Sequence, residues 1–145
     1  MRFVVAQIGA RRGYAVPAIL ENAGLLERFY TDMTSDARFG TLLMKYGSLL
    51  GRGNAVTTFG GRRVPESIRA KTTTFPWLTL WFGCRRTLSG SDPADRFREH
   101  LRLNTALGCA VARQGFGNAT HLYSMLGECG PTLLEAKRPR PDRDL

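Results

Sequence analysis

The chain has 145 residues, a length that fits one domain of ordinary size. Hydrophobic residues make up 43% of it and charged residues 23%, proportions that favour a folded globular domain over a disordered chain. The apolar run from Phe3 to Ile8 is too short to cross a membrane and is not followed by a signal-cleavage pattern. We therefore interpret this run as a buried strand.

Nearly all of the excess positive charge lies in the central part of the sequence. The formal net charge is +9, and residues 37–91 hold nine basic side chains against the single acid Glu66, which gives +8. The remaining residues hold 12 basic and 11 acidic side chains, which gives +1. Such a segment attracts phosphate-bearing ligands, anionic lipid or nucleic acid. The alternative interpretation is a solvated surface that keeps the protein soluble.

The three cysteines, Cys84, Cys109 and Cys129, are widely spaced and odd in number. No Cys-x-x-Cys or His-Cys spacing indicates a zinc site, so we expect no metal. Reduced thiols in a cytoplasmic protein are the simplest interpretation. Cys109 falls within a helical pattern, which predicts a core position.

The first 31 residues predict a βαβ unit. Strands are expected at residues 3–8 and 26–31, with a glycine-bounded loop at 9–14 and a helix at 15–23 between them. Pro17 suits the first turn of this helix, and Gly24 suits its left-handed end. The sequence therefore predicts an α/β fold with a Rossmann-like parallel sheet and helices on both faces.

Further elements follow from spacing and capping patterns. Apolar residues spaced by three and four predict an amphipathic helix at 38–50, which a glycine-rich connector at 51–61 follows. The threonines at 72–74 favour a strand over residues 71–75, ahead of an aromatic cluster at 75–82. Asp92 and Pro93 begin a long helix that Gly115 ends. A strand is expected at 121–125 and a last helix at 132–137. The Rossmann-like domain thus covers residues 1–137, and the tail at 138–145 is expected to be irregular.

The loop after the first strand is the first candidate site. It follows the carboxyl end of a strand and precedes a helix N-terminus, a position that suits a phosphate group. Arg11 and Arg12 add positive charge, while Gly9 and Gly13 permit close approach of the backbone. The spacing is neither the dinucleotide fingerprint nor a Walker loop, and a tight turn with two surface arginines is the alternative.

The segment that follows the last predicted strand is the second candidate. Ser124 and Glu128 are expected at the same sheet edge as the first loop, facing it across a crevice. Glu128 could accept hydrogen bonds from a sugar hydroxyl or act as a base, or it could simply cap a helix near Gly130. His100 and Asn104 are expected to form a satisfied core pair, and His121 to pack on its strand.

The sequences VVAQIGARRGYAVP at residues 4–17 and YSMLGECGP at residues 123–131 resemble the N-terminal part of bacterial GT-B glycosyltransferases of the family 4-like, or group 1, type. The resemblance extends to about Lys137. It implies two Rossmann-like domains facing a cleft, of which the N-terminal one takes the acceptor and the other binds a nucleotide sugar. It also implies metal-independent catalysis, no cofactor, and a cytoplasmic protein that can lie on the inner membrane face through basic and aromatic residues.

This resemblance predicts substrate-binding residues but no catalytic one. The substrate-binding set comprises Gly9, Arg11, Arg12, Gly13, Tyr14, Tyr123, Ser124 and Glu128. The family's histidine after the last strand has no counterpart here, because His121 lies slightly earlier. The donor-binding half with its paired glutamates is missing, so we expect a fragment that transfers no sugar alone. The alternatives are a basic module that binds nucleic acid through arginines and aromatic residues, and a non-enzymatic protein bound to an anionic membrane surface.

Overall fold

We describe the fold from a computed structural model, which describes residues 1–35, 62–88, 92–125 and 130–137. Four strands form one all-parallel sheet: β1 (Phe3–Gln7), β2 (Leu26–Thr31), β3 (Thr72–Thr74) and β4 (His121–Ser124). Their order is β3-β2-β1-β4, so the chain moves outward in one direction from β1 and then returns to its other side. The predicted Rossmann-like α/β fold is confirmed.

Five helices accompany the strands in the described part of the chain: α1 (Ala15–Asn22), α2 (Glu66–Arg69), α3 (Pro76–Leu88), α4 (Pro93–Gln114) and α5 (Gly130–Ala136). The predicted helix at 38–50, the connector at 51–61 and the tail at 138–145 lie outside the described residues. The predicted strands and helices that can be compared begin and end within two residues of the observed ones.

Local signals explain the ends of α1 and α4. Gly24 adopts φ +68° after α1, and the amide of Leu25 donates to the carbonyl of Leu20 over 2.8 Å, as expected at a left-handed helix end. The Asp92 side chain accepts from the Ala94 amide over 3.0 Å at the start of α4, and Gly115 with φ +75° ends the helix. Both predicted boundaries are confirmed.

Two hydrophobic cores lie on opposite faces of the sheet. On one face, Val5 and Phe29 pack with Tyr14, Ile68 and residues of α1. On the other face, the core contains Val4, Ala6, Tyr30, Leu107, Val111 and Ala119. The helices therefore cover both faces, as the near-continuous apolar strand β1 predicts.

Two expectations about helices were incomplete or wrong. The aromatic cluster at 75–82 belongs mostly to α3, where Trp77 and Trp81 are exposed. In α4, the sequence pattern predicts one apolar face with Ala94, Phe97, Leu101, Leu107 and Val111, but only Leu107 and Val111 are buried, whereas Phe97 and Leu101 are exposed. The apolar side chains in the first half of α4 therefore lie outside the core. The sequence could not predict this, because periodicity identifies the apolar face of a helix but not how much of that face is covered.

Candidate functional site

The candidate site lies where the carboxyl ends of β1 and β4 meet. These strands are parallel neighbours in register, with Ala6 opposite Ser124. β2 and β3 extend from one side of β1, whereas β4 lies on its other side, so the strand order reverses between β1 and β4. Open α/β sheets bind ligands in the crevice at such a reversal. The loop after β1 and the segment after β4 therefore leave the same sheet edge, as the sequence predicts.

The loop after β1 is held at its first residue. Gly9 is buried with φ +72°, a conformation that favours glycine. Its amide donates to Asp32 Oδ1 over 2.8 Å, and its carbonyl accepts from Gln7 Nε2 over 3.1 Å. Both polar groups of this backbone unit are satisfied by buried side chains, so the loop leaves the sheet in a fixed direction.

Asp32, directly after β2, is the polar centre of this edge, and its residue is only 1% exposed. Besides the Gly9 amide, its carboxylate accepts from Thr31 Oγ1 over 3.2 Å and from Thr79 Oγ1 over 3.4 Å. Arg62 Nη1 donates to Asp32 Oδ2 over 3.0 Å. One carboxylate thereby joins the ends of β1 and β2 to α3 and to the segment before α2.

Sequence reasoning missed Asp32 and Arg62. A signal for Asp32 existed, because a polar residue directly after a buried parallel strand lies at the carboxyl edge with the other strand ends. Arg62 follows the glycine-rich connector, and no local pattern links it to a residue 30 positions earlier. Only the folded arrangement brings this pair together.

The rest of the first loop follows an unusual left-handed path. Arg12, Gly13 and Tyr14 have φ values of 49°, 61° and 62°. Tyr14 is fully buried, with its ring 5.6 Å from that of Phe29, and its hydroxyl donates to the Arg62 carbonyl over 3.4 Å. Tyr14 therefore anchors the loop in the core, and its buried side chain is not available to a ligand at the surface.

The loop carries positive charge at the site. Arg11 and Arg12 are exposed, and Arg62 is partly exposed beside the buried carboxylate of Asp32. The loop therefore contributes two exposed guanidinium groups beside a third that is paired with the carboxylate, and cationic groups of this kind attract an anion. The first residues of α1 have no side-chain cap at their amino end, where backbone amides also favour negative charge.

The β4 side of the site is partly described. Tyr123 is exposed, with its hydroxyl 4.0 Å from Met125 Sδ. Ser124 Oγ is buried and has no hydrogen-bond partner within the described part of the chain. The predicted residue Glu128 lies outside the described residues, as does Cys129.

The expected pairing of His100 with Asn104 in the core is wrong. His100 is exposed, whereas Asn104 is 4% exposed and its Oδ1 has no hydrogen-bond partner among the described residues. The two side chains are four positions apart, but the helix turns the first toward solvent. His121 is exposed beside Phe3, with ring centroids 5.0 Å apart, which agrees with packing on its strand. Cys109 is only half-buried.

Glu99 forms an ion triad between α3 and α4. Its carboxylate accepts from Arg85 Nε over 3.2 Å and also from Arg102, while only 6% of its side chain is exposed. Burial tends to raise the pKa of Glu99, but the hydrogen bonds from Arg85 and Arg102 outweigh burial and hold this pKa below its ordinary value. The triad joins the two helices, and the lowered pKa makes the Glu99 carboxylate a weaker base than an ordinary one.

Among the described residues, no group of three or more histidine, cysteine or acidic side chains could hold a metal ion. No helix in the described ranges is long and apolar enough to cross a membrane. No protein-family model, curated protein or solved structure matches this chain.

Proposed function

We propose that this chain is the acceptor-side domain of a glycosyltransferase that moves a sugar from a nucleotide-sugar donor to an acceptor. The observation that carries the proposal is the strand order, because it brings the two segments that resemble this enzyme class to one edge. The resemblance concerns residues 4–17 and 123–131, which are more than a hundred positions apart in sequence. Ala6 and Ser124 nevertheless lie opposite each other in adjacent strands.

The geometry of the first loop supports a binding role. Its backbone is fixed by Asp32, Gln7 and the buried Tyr14, so little conformational entropy remains to be lost on binding. Its exposed side chains are cationic, which suits a phosphate group on the acceptor. A rigid backbone with mobile charged side chains is a suitable arrangement for an anionic ligand.

The carboxylate after β2 argues against a nucleotide cofactor on this domain. In dinucleotide-binding folds, an acidic residue near this position accepts a hydrogen bond from a ribose hydroxyl. Here Asp32 is buried and already accepts four hydrogen bonds within the protein. Under the proposal, the nucleotide sugar is therefore bound by a second domain and not by this one.

Calorimetric titration with pyrophosphate and with UDP-glucose tests whether this domain binds an anionic group but not the nucleotide sugar. We expect weak, salt-sensitive binding of pyrophosphate, and no tighter binding of UDP-glucose, because the proposal assigns the nucleoside to a second domain. The double substitution Arg11→Ala/Arg12→Ala should weaken pyrophosphate binding by about tenfold or more. The control Arg2→Ala/Arg113→Ala removes the same charge near the opposite sheet edge and should have a much smaller effect.

Two outcomes would count against the proposal. Micromolar affinity for UDP-glucose, well above that for pyrophosphate, would assign the donor to this domain. An equal loss of pyrophosphate binding in both double variants would show that net charge, and not the first loop, holds the anion.

We also propose that this domain docks on an anionic membrane surface. Trp77 and Trp81 are 74% and 63% exposed and lie four residues apart, hence on one side of α3. Arg85 follows one turn later on α3, is partly exposed and contacts Glu99 of α4. Tryptophan beside arginine is typical of residues at a membrane interface.

We expect membrane docking to depend more on the exposed Trp77 and Trp81 than on the net positive charge of the central segment. The structure describes the side chains of five basic residues of the central segment: Arg62, Arg63, Arg69, Lys71 and Arg85. Four of them pair with the carboxylates Asp32, Glu66, Glu21 and Glu99. Much of this positive charge is therefore balanced locally, which weakens the case for nucleic acid binding by charge alone.

Vesicle co-sedimentation tests the docking surface. We expect binding to vesicles with anionic lipid at low salt, less at high salt, and a loss of roughly tenfold in Trp77→Ala/Trp81→Ala. Ile19→Ala is the matched control, because Ile19 is also exposed but lies on α1, across the sheet. Equal binding to neutral vesicles, or none to either, would refute docking. Tighter binding to oligonucleotides would favour the nucleic acid alternative.

A further inference from the structure

Two buried oxygen atoms near the candidate site have no hydrogen-bond partner within the described ranges. They are Oδ1 of Asn104 in α4 and Oγ of Ser124 at the end of β4. Asn104 is only 4% exposed, so bulk solvent has little contact with it. Neither side chain takes part in the ion pairs described above, and apolar packing does not require a polar group at either position.

Both atoms belong to the layer between the sheet and α4. Ser124 is two positions after Leu122, which packs in the core on this face, so its side chain is on the same side of β4. In α4, Leu107 packs in the same core, and Asn104 lies one turn earlier on that side of the helix. The layer thus contains polar side chains from both of its walls.

The direction of α4 places Asn104 toward the carboxyl edge of the sheet. α4 ends at Gln114, and the Thr120 amide then donates to the carbonyl of Arg2 just before β4 begins opposite Phe3. The end of α4 is therefore at the amino edge, and earlier residues of the helix lie progressively nearer the carboxyl edge. Asn104 is about 4.5 Å farther along this direction than Leu107.

The two unsatisfied atoms are costly to the fold. A buried polar group without a partner destabilises a protein, and an apolar side chain would avoid this penalty. Thr132, also buried nearby, shows the usual solution, since its hydroxyl donates to the Gly108 carbonyl over 3.1 Å. Polar residues retained where apolar ones would be more stable are typical of functional sites.

We propose that Asn104 and Ser124 form a subsite for a neutral hydroxyl group of the ligand, such as that of a sugar ring. Asn104 Oδ1 accepts the hydroxyl hydrogen, and Ser124 Oγ donates to or accepts from a neighbouring hydroxyl. A carbonyl oxygen repels an anion, and the cationic loop at the same edge disfavours an ammonium group. The position of the ligand at this sheet edge rests on the proposed function. The preference for a hydroxyl group follows from the hydrogen-bonding capacity of the two oxygen atoms.

Amide NMR spectra of the full chain, titrated with D-glucose, test the subsite. We expect saturable shifts of the Asn104 side-chain NH₂ signals and of the Ser124 backbone amide. Asn104→Leu should weaken glucose binding by about fivefold or more, with a melting temperature no lower than that of the wild type. Ser124→Ala is a second, smaller change, and His100→Gln, exposed on the same helix, is the control that should bind as the wild type does.

Several results would overturn the subsite. These are unaltered glucose binding in both variants, a lower melting temperature of Asn104→Leu, or a water contact at Asn104 that glucose does not displace, which would indicate a buried water only. Shifts confined to Gly9 and Gly13 would refute the subsite but leave the acceptor-side function standing. Shifts at Asn104 without any sugar transfer by the natural polypeptide would refute the function and keep the subsite.

Discussion

At the residue scale, Asp32 determines how the first loop leaves the sheet. It accepts from the Gly9 amide and is paired with Arg62, so the loop depends on a carboxylate that no ligand can reach. Such a residue acts through its neighbours: it positions the backbone, and the exposed arginines of the loop then meet the ligand. Asp32 is therefore a positioning residue in this account.

Asp32→Asn should destabilise the fold by about 1–3 kcal/mol, because it removes a buried ion pair whose cation is partly exposed. Urea unfolding at neutral pH measures the change. Glu66→Gln is the matched control, since Glu66 forms a mostly exposed ion pair with Arg69 and should cost less than about 0.5 kcal/mol. Equal losses in the two variants would show that Asp32 does not hold the loop.

Glu99 should make stability depend on acid pH. Because its pKa in the folded protein is below the ordinary value of 4.5, the ionised carboxylate stabilises the fold above that pH. This contribution is lost as the pH falls through the lowered pKa. Glu99→Gln should therefore be less stable than the wild type at pH 7, and the difference should shrink in acid. A difference of the same size at both pH values would contradict the ion triad.

At the element scale, the contact between α4 and α5 depends on a glycine. A Cβ at Gly108 would lie 3.0 Å from Pro131 Cδ and 3.3 Å from Thr132 Oγ1. The close approach lets the Thr132 hydroxyl reach the Gly108 carbonyl. A larger residue would separate the two helices and break this hydrogen bond.

Gly108→Ala should consequently destabilise the fold by about 1–2 kcal/mol, even though alanine favours a helix by up to about 1 kcal/mol. Gly130→Ala is the matched change in α5, where no atom lies within 4 Å of an added Cβ, and it should be neutral or slightly stabilising. Thermal unfolding of both variants gives the comparison. A stabilised Gly108→Ala variant would show that the helices are not in close contact.

The elements also show which features the sequence can predict. Short-range signals such as Gly24, Asp92 and Gly115 identify helix ends because each acts through its neighbours in the chain. The apolar β1 predicts a parallel sheet, since both of its faces must be covered. These features need no knowledge of residues that are distant in sequence.

Other features depend on the tertiary arrangement. The burial of Asn104 and the exposure of His100 depend on the angle at which α4 meets the sheet, which a periodic pattern does not specify. The exposure of Phe97 depends on how far the helix extends beyond its partner. The pair Asp32 and Arg62 is distant in sequence, so only the fold reveals it.

At the scale of the whole molecule, the strand order accounts for the position of the candidate site. β4 is an edge strand beside the central β1, and the crevice between them opens at the carboxyl edge. Within the described residues, this crevice has a cationic loop and two unsatisfied buried oxygens, but no metal cluster. Under the proposed function, the cationic loop and these two oxygens would meet the acceptor.

The most direct measurement is a sugar-transfer assay on the full natural polypeptide. Nucleoside diphosphate released from a panel of nucleotide sugars would be measured with and without a lipid extract as the acceptor source. We expect acceptor-dependent release that falls about tenfold or more in Arg11→Ala/Arg12→Ala and little in Arg2→Ala/Arg113→Ala. Absence of release across the panel, or equal activity in both double variants, would contradict the proposed function.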